Sequence, residues 1–150
     1  MQRAIDLSLD NVKSGRGGPF AAVIAKEGQI VADGVNEVTS RNDPSAHAEV
    51  NAIREACRKL KTFQLSGCEI YTSCEPCPMC LGLIYWSRLD RVYYANTATD
   101  AARIGFDDAL IYRELAKPPG DRHLPMQQLM QAEAQGAFEV WERKPDKVRY

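Results

Sequence analysis

The sequence predicts an α/β fold, a three-layer α/β/α sandwich in which helices cover both faces of a mixed, about five-stranded sheet. Two observations predict it: a pair of β-rich segments joined by a turn near the N-terminus, and an alternation of helical and β-rich segments after it. A chain of 150 residues, 45% of them hydrophobic, suits one globular domain with a single core. We therefore expect residues 1–150 to form one domain.

The N-terminal third of the chain predicts a helix followed by a hairpin. Residues 3–14 read as an amphipathic helix whose apolar members include Ile5, Leu7, Leu9 and Val12, and a glycine-rich segment then ends it. Two β-rich segments follow, joined by a polar, glycine-containing tetrapeptide that is typical of a β-hairpin. The segments are 20–25 and 30–35, with the turn at 26–29.

The rest of the chain alternates between the two kinds of element. A helix is predicted from Ala46 to Leu60, with Asp43 or Ser45 as its cap and Pro44 near its start. The later elements are predicted in order as strand 68–73, helix 77–87, strand 91–95, helix 101–115, strand 124–129 and a closing helix over 130–141.

Charge and hydropathy exclude several classes of protein. The formal net charge is −1, which provides no bulk attraction to nucleic acid. Residues 1–14 carry charged side chains where a signal peptide would be apolar, and the uncharged run between Glu75 and Arg88 is shorter than the roughly 20 residues of a membrane span. We expect a cytoplasmic protein without a membrane segment.

A histidine and two cysteines form a candidate zinc site. His47 and Glu49 precede the Pro-Cys-Pro-Met-Cys segment that contains Cys77 and Cys80. Three protein ligands leave zinc an open position, which is typical of a catalytic site. Water in that position becomes acidic enough to supply hydroxide near neutral pH, and a carboxylate that is not a ligand can then move protons. This predicts one zinc ion per chain, held by His47, Cys77 and Cys80, with Glu49 as the proton shuttle.

Other chemistry for these cysteines remains open at this point. The chain has five cysteines, an odd number, so metal ligation in a reducing compartment explains them better than a set of disulfides. A Cys-x-x-Cys pair also occurs in redox dithiols, and Cys74 extends the spacing towards that of iron–sulfur ligands, although Ile84 stands where a fourth ligand is expected. A zinc-stabilised module without activity would require a fourth protein ligand. Cys74 itself reads as a small buried residue.

The motifs resemble a known family over essentially the whole chain. The pattern H-x-E followed by P-C-x-x-C is the signature of zinc nucleobase deaminases. The segments 71–86 and 42–49, together with Gly17–Phe20, 99–102, 105–108 and Tyr150, are similar to the guanine deaminases of the cytidine-deaminase-like superfamily. The resemblance implies that fold, a zinc cofactor, and hydrolysis of guanine to xanthine and ammonia by a zinc-activated water.

The resemblance also implies a set of residues that meet the purine base. They are Phe20, Asn36, Trp86, Asp108 and Tyr150, and Asp108 is also a candidate for a second proton-transfer role. An aromatic ring such as Phe20 can stack on the base, and the amide of Asn36 offers both a donor and an acceptor. Asp107 and Asp108 are adjacent, and the residue types alone do not choose between them; the resemblance favours Asp108.

The C-terminal segment, about 142–150, is the candidate for an active-site lid. The resemblance implies that Tyr150 closes the site, in some relatives from a second subunit, which predicts a homodimer with exchanged tails; closure within one chain stays open. The alternative function is a tRNA adenosine deaminase, or another nucleobase or nucleoside deaminase of the superfamily. That alternative shares the fold, the zinc ligands and the glutamate, and the basic segment 143–150 could contact RNA phosphates. A basic groove would still be needed, so a nucleic-acid partner is not expected.

Overall fold

The computed structural model describes residues 1–149, which fall into two compact units that divide between Asp108 and Ala109. Unit 1 contains five helices and four strands among its described residues. The helices are α1 (Gln2–Lys13), α2 (Val38–Arg41), α3 (Ala48–Leu60), α4 (Pro78–Trp86) and α5 (Ala98–Arg103). The strands are β1 (Ala21–Lys26), β2 (Gln29–Val35), β3 (Cys68–Cys74) and β4 (Arg91–Asn96).

The strands form one mixed sheet in the order β2-β1-β3-β4. Strand β1 runs antiparallel to both β2 and β3, while β3 and β4 are parallel. The turn between β1 and β2 places Glu27 and Gly28 at positive φ, as a tight hairpin turn requires. The hairpin and the mixed sheet predicted from the sequence are confirmed.

The core of unit 1 lies between the sheet and the helices α3 and α4. Ile24 of β1 and Ile70 of β3 pack in one cluster with Ala52 and Ile53 of α3 and Ile84 of α4. Five consecutive residues of β1, 21–25, are buried, and successive strand side chains point to opposite faces, so helices cover both faces of this strand. Gly34 of β2 lets α3 approach the strand closely.

Three details differ from the sequence-based prediction. The sheet has four strands among the described residues, because the segment 124–129 is irregular, and Pro125 removes one backbone donor from it. The helix predicted over 101–115 is interrupted, since Gly105 adopts φ +93°, which ends one helix before the next begins. Helix α1 buries Ala4 and Asn11 and exposes Ile5, Leu9 and Val12, so its buried side is not its most apolar one.

Unit 2 is short and has little interior of its own. Its elements are α6 (Ala109–Leu115), a 3₁₀ turn (Pro119–Asp121) and α7 (Gln131–Arg143). None of residues 109–149 is buried, and Phe138, Val140 and Trp141 on α7 are exposed. Within residues 1–149, no helix is long and apolar enough to cross a membrane.

Candidate active site

Most of the predicted site residues that the structure describes gather at one end of the sheet. Strand β1 begins at Ala21 at this end, and because it is antiparallel to its neighbours, β2 and β3 end there. Asn36 directly follows β2, Phe20 directly precedes β1, and Cys77 follows β3 after a short loop. The N–H of Glu37 donates to the carbonyl oxygen of Ala46 at 2.9 Å, which brings the segment before α3 to the same place.

Two zinc-ligand candidates occupy equivalent positions at the starts of two helices. His47 is the N-cap of α3 and Cys77 the N-cap of α4, and both have extended backbones. Pro78 follows Cys77 as the first helical residue, where its missing N–H costs nothing. The expected start of α3 was too early: the Asp43 carboxylate accepts the N–H and hydroxyl of Ser45 in a local turn, and the helix begins at Ala48.

This geometry removes a difficulty in the sequence pattern. Residues two apart in a helix point in different directions, so His47 and Glu49 could not face one ion if both were helical. Because His47 is the N-cap and lies just outside α3, helical geometry does not set the direction of its side chain. Only Glu49, in the first turn, has its direction set by the helix, so both side chains can reach one site.

The three candidate ligand atoms fit a zinc ion. The Nδ1 atom of His47 lies 3.6 Å from the Cys77 sulfur and 3.5 Å from the Cys80 sulfur. Zinc bonds of about 2.3 Å to sulfur and about 2.0 Å to nitrogen, at a tetrahedral angle, separate such atoms by about 3.5 Å. The ligand atoms all lie within 4.8 Å of one another. One imidazole and two thiols at these distances match a three-ligand catalytic zinc site.

The local electrostatics favour a thiolate at Cys77. A hydrogen bond from the Cys80 thiol lowers the pKa of Cys77 to about 4, against the opposing effect of burial, and bonds from His47 and the Cys80 backbone N–H act in the same direction. The bond with Cys77 in turn raises the pKa of His47. The pKa of Cys80 is raised, because its thiol is the donor to Cys77 and is buried. A cation placed among these groups would meet at least one full negative charge.

Glu49 lies beside the ligand set without belonging to it. Its side chain is 8% exposed, and its Oε2 lies 3.4 Å from the Cys80 sulfur, whose single S–H is shared between Cys77 and Glu49. Burial raises the pKa of the Glu49 carboxyl. A buried carboxyl next to a metal site, but not among its ligands, is the arrangement that proton transfer requires.

Cys74 has a separate place from the ligand set. It is buried at the end of β3, and its thiol contacts the carbonyl oxygen of Thr97 at 3.6 Å. Burial raises the pKa of Cys74 to about 11, so it is a neutral thiol at neutral pH. The candidate metal group among the described residues consists of His47, Cys77 and Cys80. This agrees with the interpretation of Cys74 as a small buried residue.

Asn36 and Phe20 belong to one hydrogen-bonded corner of the site. Asn36 is 7% exposed, and its Oδ1 accepts the backbone N–H groups of Gly18 at 3.3 Å and Val38 at 3.4 Å. The N–H of Asn36 donates to the carbonyl oxygen of Phe20 at 3.0 Å. The Phe20 ring meets Phe106 edge-on, with 4.9 Å between the ring centres.

Phe106 had no predicted role, although the Gly105–Asp108 motif marked its surroundings. Its ring lines the same corner as Phe20, and two residues later Asp108 is half-buried. Burial, and then the negative charge of Cys77, raise the pKa of the Asp108 carboxyl. Asp107 is exposed. These differences favour Asp108 as the carboxylate of the site.

One predicted base contact, Trp86, does not lie at this corner. Trp86 ends α4, eight residues after Pro78, which places it about 12 Å along the helix from the ligand end. Its side chain is 61% exposed. Tyr150 lies outside the described residues.

Comparisons with known proteins place this site in a family. The family model for the cytidine and deoxycytidylate deaminase zinc-binding region matches residues 1–96. Guanine deaminase from Bacillus subtilis (strain 168) is 51% identical over 150 residues, which covers 100% of this chain and 96% of that protein. An X-ray structure of the Bacillus subtilis enzyme has a TM-score of 0.96 at 52% identity, covering 99% of this chain and 95% of that chain.

Two further relatives match less of the chain. A structure of NE0047 in complex with 2,6-diaminopurine has a TM-score of 0.67 at 36% identity, covering 71% of this chain and 60% of that chain. A tRNA-specific adenosine deaminase from Aquifex aeolicus (strain VF5) is 47% identical over 77 residues, which is 51% of each protein. The zinc geometry, the fold and the full-length similarity agree: the chain belongs to the guanine deaminases of the cytidine and deoxycytidylate deaminase zinc-binding family.

Proposed function

We propose that this protein hydrolyses guanine to xanthine and ammonia, with one zinc ion held by His47, Cys77 and Cys80. The observation that carries the proposal is the 51% identity to a guanine deaminase over the full chain, combined with a ligand set whose N–S distances of 3.5 and 3.6 Å suit tetrahedral zinc. The reaction forms a bond from a water oxygen to C2 of the base and breaks the bond from C2 to the exocyclic nitrogen.

Glu49 moves the protons of this reaction. When bound, zinc supplies a hydroxide nucleophile near neutral pH by lowering the pKa of a water molecule. Glu49 accepts the proton released by the water and passes it to a ring nitrogen of guanine. It then carries the second proton to the departing amine, so that ammonia leaves and the C2 carbonyl of xanthine remains. The position of Glu49 beside Cys80, buried and outside the ligand set, supports this role.

The corner formed by Phe20, Phe106 and Asn36 receives the base. Phe20 stacks on the purine, and its edge-on contact with Phe106 holds the ring in place. Asn36 donates to the base through its Nδ2, because backbone N–H groups already occupy its Oδ1. Asp108 accepts from an N–H group of guanine and assists proton delivery to the leaving amine.

The alternative of a tRNA adenosine deaminase has narrower support. The match to the Aquifex aeolicus enzyme covers 51% of this chain, whereas the guanine deaminase match covers the whole of it. A net charge of −1 also gives no broad attraction for a polynucleotide. We therefore assign the free base as substrate.

We further propose that residues 1–150 act as one deaminase domain within a homodimer. Large apolar side chains are exposed on α1 and α4, namely Ile5, Leu9, Val12, Tyr85 and Trp86, and unit 2 has no buried residue among those described. Exposed apolar side chains of this size on α1 and on α4 support contact with a second subunit. Trp86 lies at the end of α4 that is far from the zinc site of its own chain. In a dimer, the partner subunit would supply the base contact that Trp86 does not make there. The free cysteines suit the reducing cytoplasm.

The C-terminal tail is proposed to close the site, and its removal tests this. Deleting residues 147–150 should raise the KM for guanine or lower kcat while zinc stays bound, because an open pocket admits water. Mixing the deleted chain with a Glu49→Gln chain distinguishes the two geometries: activity recovered in mixed dimers requires that the tail of one subunit serves the other. Unchanged kinetics in the deleted protein would contradict a lid.

An ammonia-release assay on zinc-replete protein tests the proposed function. Guanine should release ammonia and yield xanthine, while adenosine in tRNA, free adenosine and cytidine should not. The Glu49→Gln protein, run in parallel, shows whether the ammonia comes from this site. Turnover of tRNA without turnover of guanine, or of neither, would overturn the proposal.

A further inference from the structure

Asn11 is a fully buried polar side chain on α1, 0% exposed. Its Nδ2 donates two hydrogen bonds, to the carbonyl oxygens of Gly18 at 2.9 Å and Asn36 at 2.8 Å. Its Oδ1 is buried and has no hydrogen-bond partner among residues 1–149. An unpaired buried acceptor costs free energy. An apolar side chain of the same size would pack here without that cost. The two hydrogen bonds donated by Nδ2 therefore explain why an asparagine stands at this position.

The two carbonyl groups held by Asn11 belong to the segments that carry the proposed base contacts. The Gly18 carbonyl also accepts the N–H of Phe20 at 2.8 Å, and the N–H of Gly18 donates to Asn36 Oδ1 at 3.3 Å. A Cβ at Gly17 would overlap the Asn36 carbonyl oxygen, so a glycine permits this close approach. Asn11 therefore joins the segment before β1 to the end of β2.

This network fixes the orientation of the Asn36 amide. Its Oδ1 accepts from backbone on both sides, from Gly18 and Val38, so Nδ2 is the end with which it can donate to a base. The backbone of Asn36 is held in turn by Asn11. We infer that Asn11 is a positioning residue for base recognition, which acts through Asn36 without touching substrate or zinc. This inference rests on the proposed guanine deaminase function.

A double-mutant cycle tests whether Asn11 acts through Asn36. Asn11→Leu keeps most of the volume and removes both N–H groups, and it is combined with Asn36→Ala. In the wild-type background Asn11→Leu should raise the KM for guanine about tenfold, with a smaller change in kcat, because a displaced amide weakens substrate placement. In the Asn36→Ala background the same change should alter KM by less than about twofold. Zinc content should stay at one per chain.

Equal fold-changes in KM in both backgrounds would overturn the inference. So would an Asn11→Leu protein whose thermal midpoint falls while its KM at lower temperature is that of the wild type, since that is the result of a purely structural role. Asn11→Ala provides a second variant if the leucine does not fold, and Ser8→Ala, on the same helix, is the control with unchanged KM. The proposed function fails if the wild type releases no ammonia from guanine. That assay precedes the double-mutant cycle, so the two failures are distinguished.

Discussion

Replacing Glu49 by glutamine isolates its proton-transfer role. The two side chains have the same shape, so glutamine can take the place of Glu49 beside the Cys80 sulfur, which lies 3.4 Å from Glu49 Oε2. Because Glu49 is 8% exposed, a neutral amide also avoids the cost of burying a charge. We expect Glu49→Gln to bind one zinc ion and to unfold at the same temperature as the wild type or higher.

The expected loss is in turnover. An amide does not shuttle protons at neutral pH, and a positioned acid–base group contributes about 10²–10⁴-fold. At about 1.36 kcal/mol per tenfold, this raises the barrier by about 2.7–5.4 kcal/mol. The decrease should appear in kcat, because Glu49 acts on the atoms that react.

Xanthine formation, followed by absorbance or by ammonia release, measures this change beside metal analysis of the same samples. Glu55→Gln is the matched control: Glu55 lies on the same helix and pairs with Arg58 at 2.6 Å near the surface, so its loss should leave kcat unchanged. A Glu49→Gln protein with full zinc and the wild-type kcat would refute the assignment of the proton shuttle.

Three further predictions concern the metal, the second carboxylate and the fold. Cys80→Ala should lose the zinc ion and the activity, whereas Cys74→Ser, outside the ligand set, should keep both; metal analysis decides, and full zinc in Cys80→Ala would contradict the ligand assignment. Asp108→Asn should lower kcat/KM about tenfold or more, and Asp107→Asn by less than about twofold, since Asp108 is the half-buried member of the pair. Equal decreases in kcat/KM would contradict the assignment of Asp108 as the carboxylate of the site. In Gly34→Ala, a Cβ would lie 2.5 Å from backbone atoms of α3. We expect the free energy of unfolding to fall by about 1–3 kcal/mol and the thermal midpoint by about 2–4 °C per kcal/mol. An unchanged midpoint would contradict the close packing of β2 against α3.

The zinc ligands could be predicted from the sequence because residue type and short spacing identify them. A helix start follows each ligand group, and the residue types at His47, Cys77 and Cys80 select the metal whatever the exact helix boundary. The boundary itself was misplaced, because Asp43 makes a local turn with Ser45 that resembles a helix cap in sequence. Capping residues and turn residues are the same types, and only the following backbone distinguishes them.

Long-range pairing was harder to predict. The segment 124–129 has β-forming residues, but a strand also requires an edge to pair with, which local composition does not specify. Asn11 is the clearest omission at the site. A single asparagine in an amphipathic helix gives no signal of its own, and its role follows from two carbonyl groups that are distant in sequence and meet only in the folded chain.

The position of two ligands at helix N-caps has a consequence for metal exchange. His47 and Cys77 precede α3 and α4, and none of the three ligand residues belongs to the cluster around Ile24 and Ile70. Withdrawal of zinc by a chelator should therefore fray the first turns of these two helices and leave the interior intact. Amide hydrogen exchange would accelerate near residues 48–50 and 78–80 and stay slow in β1 and β3. We therefore expect that zinc can be removed and restored while the protein stays folded, unlike small zinc modules that unfold when they lose the metal.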